Sequence, residues 1–185
     1  MTSTRANSAI DIASRALVLI GAEPITSFDS SSTEALVATN MYEDTVRAML
    51  STARWRFATE QAVLNQLSDV PTGRFDIAHQ LPSNLLVLHG VTINDRLIEF
   101  TVYGDKVFSD STSSDTLVAD FTFRADEVDF PSYFSLALQY SLASIFATSI
   151  ARDDGLMQIM ETKANQLMAK ARNIDAQQQL SLIHI

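Results

Sequence analysis

The chain has 185 residues, of which 46% are hydrophobic and 19% charged, with 13 basic and 22 acidic side chains and a net charge of −9. That composition excludes a disordered chain, the length fits one domain or one domain with an insertion, and the absence of cysteine excludes disulfide and thiol chemistry. The acidity is uneven: residues 65–130 carry four basic against eleven acidic groups, which disfavours sequence-seeking DNA binding but suits a wall past which DNA slides.

The N-terminal stretch "MTSTRANSAIDIASRA" lacks a cationic start followed by an apolar block, so no secretion signal is read there. Residues 5–20 place Ala6, Ala9, Ile10, Ala13, Leu17 and Ile20 on one helical face. Ser3 or Thr4 is suited to cap its start, Gly21 to end it in a left-handed conformation, and Pro24 to block continuation. After the loop "SFDSSS", Ser31 and Glu34 have capping-box spacing. The second helix then carries a stripe of Ala35, Ala38, Tyr42, Val46, Met49, Leu50 and Ala53 that runs into Trp55 and Phe57. The following "ATEQAVLNQL" reads as continued helix.

From "DVPTGRFD" to about residue 130 the period changes to two. Four β-type runs stand out, "LLVLHGVTI", "RLIEFTVYG", "KVFSD" and "TLVADFTF", punctuated by the turns "IND" and "YGD". Helix returns after "FPSYF", with proline at the entry. Its stripe, from Phe134 through Leu138, Leu142 and Ile145 to Ser149, is widened by Leu136, Tyr140, Ala143 and Ile150, which predicts the central helix. No apolar run is read as reaching the ~20 residues of a bilayer helix. Asp153 or Asp154 can cap the last helix, whose narrow apolar side is Leu156, Ile159, Met160, Leu167, Ala171 and Ile174. Such a half-exposed helix wants a partner.

The predicted fold class is α+β: an antiparallel helical bundle of about four helices with an inserted small antiparallel β module. The expected division is a discontinuous bundle over residues 1–67 and 131–179, and a β module over 68–130. The last six residues, "LSLIHI", are expected to be a non-native tail. They can be encoded by CTGTCTCTTATACACATC, the transposon end of a common sequencing-library preparation, and they abruptly follow the polar helix end "DAQQQ".

Little in the chain points to catalysis. His79, His89 and His184 lie far apart without metal-ligand spacing. Five scattered glycines build no phosphate loop, and no serine sits in a G-x-S-x-G elbow. Asp153–Asp154 reads as a helix cap and "DEVD" at 126–129 as a charged turn, neither with the ligand spacing of a calcium loop. No enzyme activity, cofactor or metal is expected. The group with more to say is "ARWRFA", residues 53–58. Trp55 is read as core, and Arg54 and Arg56, on one face at i, i+2, as candidate subunit-interface residues, since arginine is enriched at interfaces.

The order of motifs resembles one family. "LIGAEPITSFD", "YEDTVRAMLSTARWRFAT", "FDIAHQLPSNLLVL" and "FPSYFSLALQYSLASIFATSIARDDGLMQIM" follow one another as in the tail tubular protein A family, the head-to-tail adaptors of short-tailed bacteriophages, from about Ala6 to Gln178. Leu19, Gly21, Pro24 and Ile25 match the family's first turn, and Tyr42, Arg47 and Leu50 its second helix. Trp55, Phe57, Ala58 and Thr59 match its W-x-F-A-T signature, and Leu81 and Pro82 its Leu-Pro entry to the sheet module. The family often has proline and asparagine beside the tryptophan, so the resemblance carries no role over to Arg54 and Arg56. It implies a non-catalytic ring of twelve subunits in the neck of the virion, assembled in the host cytoplasm. The implied partners are other copies of the chain, the portal protein, the tail nozzle protein and passing genomic DNA, bound without sequence specificity, and no membrane. The other reading weighed is a small nucleic-acid-binding regulator using Arg5, Arg15, Arg47, Arg54 and Arg56. The interspersed Asp11, Glu43, Asp44 and Glu60 argue against a single basic stripe.

Overall fold

Helix α1 spans Ala9–Leu19 and starts one turn later than the sequence suggests. Ser8 accepts a hydrogen bond from the Asp11 backbone N–H at 3.1 Å and donates its hydroxyl to the Asp11 carboxylate at 2.8 Å. This reciprocal cap satisfies a first-turn donor that would otherwise have no partner. The expected caps Ser3 and Thr4 lie outside the residues that the computed structural model describes, 8–68 and 74–178, as does the tail Leu180 to Ile185. The buried face is Ile12, Ala13, Ala16 and Leu17, rotated from the predicted one. At the other end Gly21 takes φ +77°. Gly21 N–H donates to Val18 O and Ala22 N–H to Leu17 O, the paired bonds of a Schellman motif.

Helix α2 is Thr33–Ser51, capped by Ser32, whose hydroxyl accepts from Ala35 N–H at 3.1 Å. The capping residue is thus one later than the Ser31 of the predicted box. Ala35, Ala38, Tyr42, Val46, Met49 and Leu50 are buried, as the stripe predicts. Helix α3, Ser132–Phe146, follows Pro131, which occupies the N-cap position itself. Helix α4, Asp154–Gln177, is capped by Asp153, which accepts from Leu156 N–H at 2.9 Å. Helix α3 packs against α1, α2 and α4, so it is the centre of the helical unit. The stretch Ser132–Ala151, 20 residues, does have the length and composition of a bilayer span. That corrects the reading that no apolar run is long enough. Its apolar surface is explained by three packed helical neighbours.

Helix α3 ends in a π turn, Ala147–Ala151, followed by Arg152 in the left-handed region at φ +53°. A side chain there crowds its own backbone and costs about 1–2 kcal/mol. Arg152→Gly is therefore expected to raise stability by about 1 kcal/mol in urea denaturation. An unchanged or lowered midpoint would show that the arginine side chain contributes more than the strain removes.

Among the described residues the remaining elements are two short 3-10 turns, Arg56–Ala58 and Glu127–Asp129, and eight strands: β1 Thr59–Val63, β2 Asn65–Gln66, β3 Ile77–Gln80, β4 Leu85–Ile93, β5 Arg96–Leu97, β6 Thr101–Tyr103, β7 Lys106–Ser109 and β8 Leu117–Phe123. They form two four-stranded antiparallel sheets, ordered β1-β8-β4-β5 and β2-β3-β7-β6. The observed class is α+β, with four helices and two small antiparallel sheets. "ATEQAVLNQL" is not helix. Thr59 pairs with Thr122 and Val63 with Val118, and this ladder overrides the helical preference of Glu, Gln, Ala and Leu. Between β1 and β2, Leu64 is buried and donates its N–H to Leu117 O at 2.8 Å, which carries the chain from one sheet to the other.

The predicted turn "IND" is a two-residue hairpin in which Asn94 and Asp95 have φ of 50° and 63°, the left-handed pair that matches strand twist. Leu64, Leu81, Val91, Val107, Leu117, Ala119 and Phe121 make one apolar core shared by both sheets. The chain divides into a helical unit, ending at Phe57 and resuming at Ala125, and a strand unit, Ala58–Arg124. Both divisions fall earlier than the predicted boundaries at 68 and 130, the first because β1 and β2 belong to the sheets.

The tryptophan corner and candidate assembly surfaces

Of the family-motif positions in the helical unit, Leu50, Trp55 and Phe57 lie at the end of α2. Thr52 closes the helix, and its N–H and hydroxyl both donate to Met49 O. The chain then turns so that Trp55 folds back beneath the helix it has just left. Its indole N–H donates to the same Met49 carbonyl at 3.0 Å, partnering one of the last-turn acceptors of α2. Trp55 has no solvent exposure. Its ring meets Phe134 edge-on at a centroid distance of 5.1 Å, and Phe57 at 5.9 Å. Phe57 in turn contacts Phe134 at 5.0 Å and Phe130 at 5.9 Å, and Phe130 and Phe134 stand 4.9 Å apart. Most of these contacts are edge-to-face, the arrangement that ring quadrupoles favour. Two residues of the W-x-F-A-T signature thus join α2 to the start of α3.

Arg54 and Arg56 are both exposed beside this core, as their spacing suggests. They are not equivalent. Arg56 donates its Nε–H to Asp175 O at 3.0 Å and its backbone N–H to the Asp175 carboxylate at 3.0 Å. The side chain therefore clamps the last turn of α4 within its own subunit. Asp175 is 3% exposed, and its other carboxylate oxygen accepts from Tyr133 Oη at 2.7 Å. Burial, and then the bond to Asp175, push the Tyr133 phenol well above its ordinary value, so the hydroxyl stays a donor at neutral pH. The sequence reading missed this network. The available signal was an aspartate four residues after Ala171, on the apolar side of an amphipathic helix.

The other motif residues take ordinary structural places. Tyr42 is buried, with its ring 5.8 Å from Phe28 and its hydroxyl donating to Glu127 at 3.2 Å. Ile25 and Leu50 are buried, while Leu19 is half-buried and Gly21 and Pro24 are exposed. Arg47 is exposed and lies 3.8 Å from Glu43 one turn earlier. In the strand unit Ala58 is buried and Thr59 half-buried in β1. Leu81 is buried and donates its N–H to Asp105 O, and the half-buried Pro82 starts the turn into β4.

Among the described residues no group of three or more His, Cys, Asp or Glu side chains stands together as a metal site. His89 shares a 2.7 Å hydrogen bond with the buried Thr122. His79, on β3, is buried with its Nδ1 lacking a partner among the described residues. Burial lowers its pKa below the ordinary 6.5. The unfolded chain therefore binds this proton more readily than the folded one. Stability from this group is present in full above pH of about 6.5 and is lost as pH falls from there through the lowered folded value. His79→Gln is expected to flatten that acid slope in melting curves recorded from pH 7 downward. An unchanged slope would show that His79 takes up its proton in the folded state.

The profile of a known family, the tail tubular proteins, matches residues 9–179. No curated protein matches the chain. That match covers both halves of the helical unit and the whole strand unit between them, and the chain belongs to the tail tubular protein family, whose members are structural components of bacteriophage tails.

Proposed function

We propose that the protein is a ring-forming head-to-tail adaptor, seated in the virion neck between the portal and the tail nozzle and lining the channel through which DNA leaves. The family match over residues 9–179 carries this reading. The helical unit supports it: α4 is 24 residues long, yet buries only Ala164, Ala171 and Asp175, and a helix so thinly covered gains most from neighbours. The net charge of −9 also supports it, because a wall that repels phosphate lets DNA pass without sticking. The ring forms in the host cytoplasm before DNA is delivered, and Arg54 lies at a seam between subunits.

Negative-stain microscopy of the purified chain mixed with the portal protein tests this. The expected images show a ring of twelve copies added to one face of the portal. A mixture in which the chain never associates with portal would overturn the adaptor role. A strong, sequence-dependent DNA shift at physiological salt would favour a regulator instead.

A further inference from the structure

The outward line of α4 carries no charge. Gly155, Ile159, Thr162, Gln166, Ala169 and Asn173 are spaced 4, 3, 4, 3 and 4 residues apart, all are exposed, and they lie opposite the buried Ala164, Ala171 and Asp175. A water-facing helix line carries charged or polar residues, and this one has the polar Thr162, Gln166 and Asn173 but no charge. Here the helix has charged residues, but they flank it. Lys163 and Lys170 border one side, and Asp154, Glu161 and Arg172 the other. Ile159 is 64% exposed at the mouth of a groove that it shares with Tyr140 of α3 and with Met160 and Lys163. Loss of charge from the centre with charges kept at the rim is the pattern of an interface core.

A matching surface lies on the same unit. The outward side of α2 presents Met41, Asp44 and Ala48, all exposed, with the half-buried Val37 one turn earlier and the exposed Asn40 and Arg47 alongside. Neither Asp44 nor Lys163 has an ion-pair partner among the described residues. Helices α1 and α2 pack on α3 and on each other, and α4 packs on α3 and on the turn before it, which α2 also touches. The two surfaces thus belong to different flanks of the bundle. A contact between unlike surfaces is head-to-tail, and repeating it closes a ring or extends a filament. Two copies of α4 would instead bring their lysine rims together in antiparallel pairing.

We infer that α4 of one copy docks against α2 of the next, its uncharged line at the centre and Lys163 beside Asp44 at the rim. This inference rests on the self-assembly in the proposed function and names the surfaces that carry it out.

Native mass spectrometry of the full chain over a concentration series tests it. Lys163→Glu and Asp44→Lys should each raise the concentration needed for assembly at least about tenfold, because each sets like charges together. Both residues are exposed, so thermal melting of the monomer should not change. Mixing the two variants should restore assembly, since each α4–α2 contact then joins opposite charges, and the particles should hold even numbers of copies above two. Variants that assemble like the wild type would overturn the α2–α4 contact and leave the ring reading intact. Restoration of dimers alone would mean a two-fold contact and overturn the head-to-tail arrangement. A wild-type chain that stays monomeric at every concentration would overturn self-association of the free chain through these surfaces, while its appearance as a ring on portal would still uphold the adaptor role.

Discussion

Trp55→Ala is expected to destabilise the helical unit by about 3–5 kcal/mol, the range for removing a fully buried large aromatic. The indole fills the corner between α2 and α3, and alanine leaves its neighbours Phe57 and Phe134 facing a cavity. The Met49 carbonyl keeps the Thr52 donors, so loss of the indole N–H adds little beyond the packing term. Trp55→Phe should cost less than half as much, since most of the ring volume stays. Urea unfolding followed by circular dichroism checks both. A loss below about 1 kcal/mol for alanine would mean that the corner collapses without penalty and that the core lies elsewhere.

Asp175→Ala is expected to cost about 3 kcal/mol, because it strands two donors that a buried carboxylate now satisfies. One is the Arg56 backbone N–H, and the other is the Tyr133 hydroxyl. Tyr133→Phe removes only one of those bonds and should cost about 1.5 kcal/mol. In the double variant the two losses should overlap, with a coupling of roughly 1 kcal/mol or more, since the residues share one hydrogen bond. Strict additivity would show that Tyr133 and Asp175 act independently. Arg56→Ala keeps the backbone bond to the Asp175 carboxylate while losing the Nε–H contact, so its effect should be smaller than that of Asp175→Ala.

How far the sequence revealed this molecule depends on whether a signal was local. Strands β4 and β8 were legible, because "LLVLHGVTI" and "TLVADFTF" have the composition of buried strands and sit between turn residues. The burial of Trp55 was legible from the apolar stripe of α2 that leads into it. Strand β1 was not, since nothing in "TEQAV" announces that Thr59 pairs with Thr122, 63 residues later, and the local propensity points to helix. The π turn and the left-handed Arg152 were hidden for a related reason. Left-handed backbone normally announces itself with glycine or asparagine, and "ATSIARDD" offers neither. The Asp175 network could have been suspected from the register of α4, but its partners come from segments 119 and 42 residues away. The Arg54 and Arg56 pair illustrates the limit of residue-type reasoning. Enrichment of arginine at interfaces applied equally to both, and only the fold showed that Arg56 also holds its own α4.

The place proposed for this chain is the ring between portal and tail nozzle. A localised cryo-electron microscopy reconstruction of the neck of the intact virion tests it most directly. Twelve copies of this chain are expected between portal and nozzle, with DNA density along their common axis. Finding the chain at the distal tail, or with no ring at the neck, would contradict it.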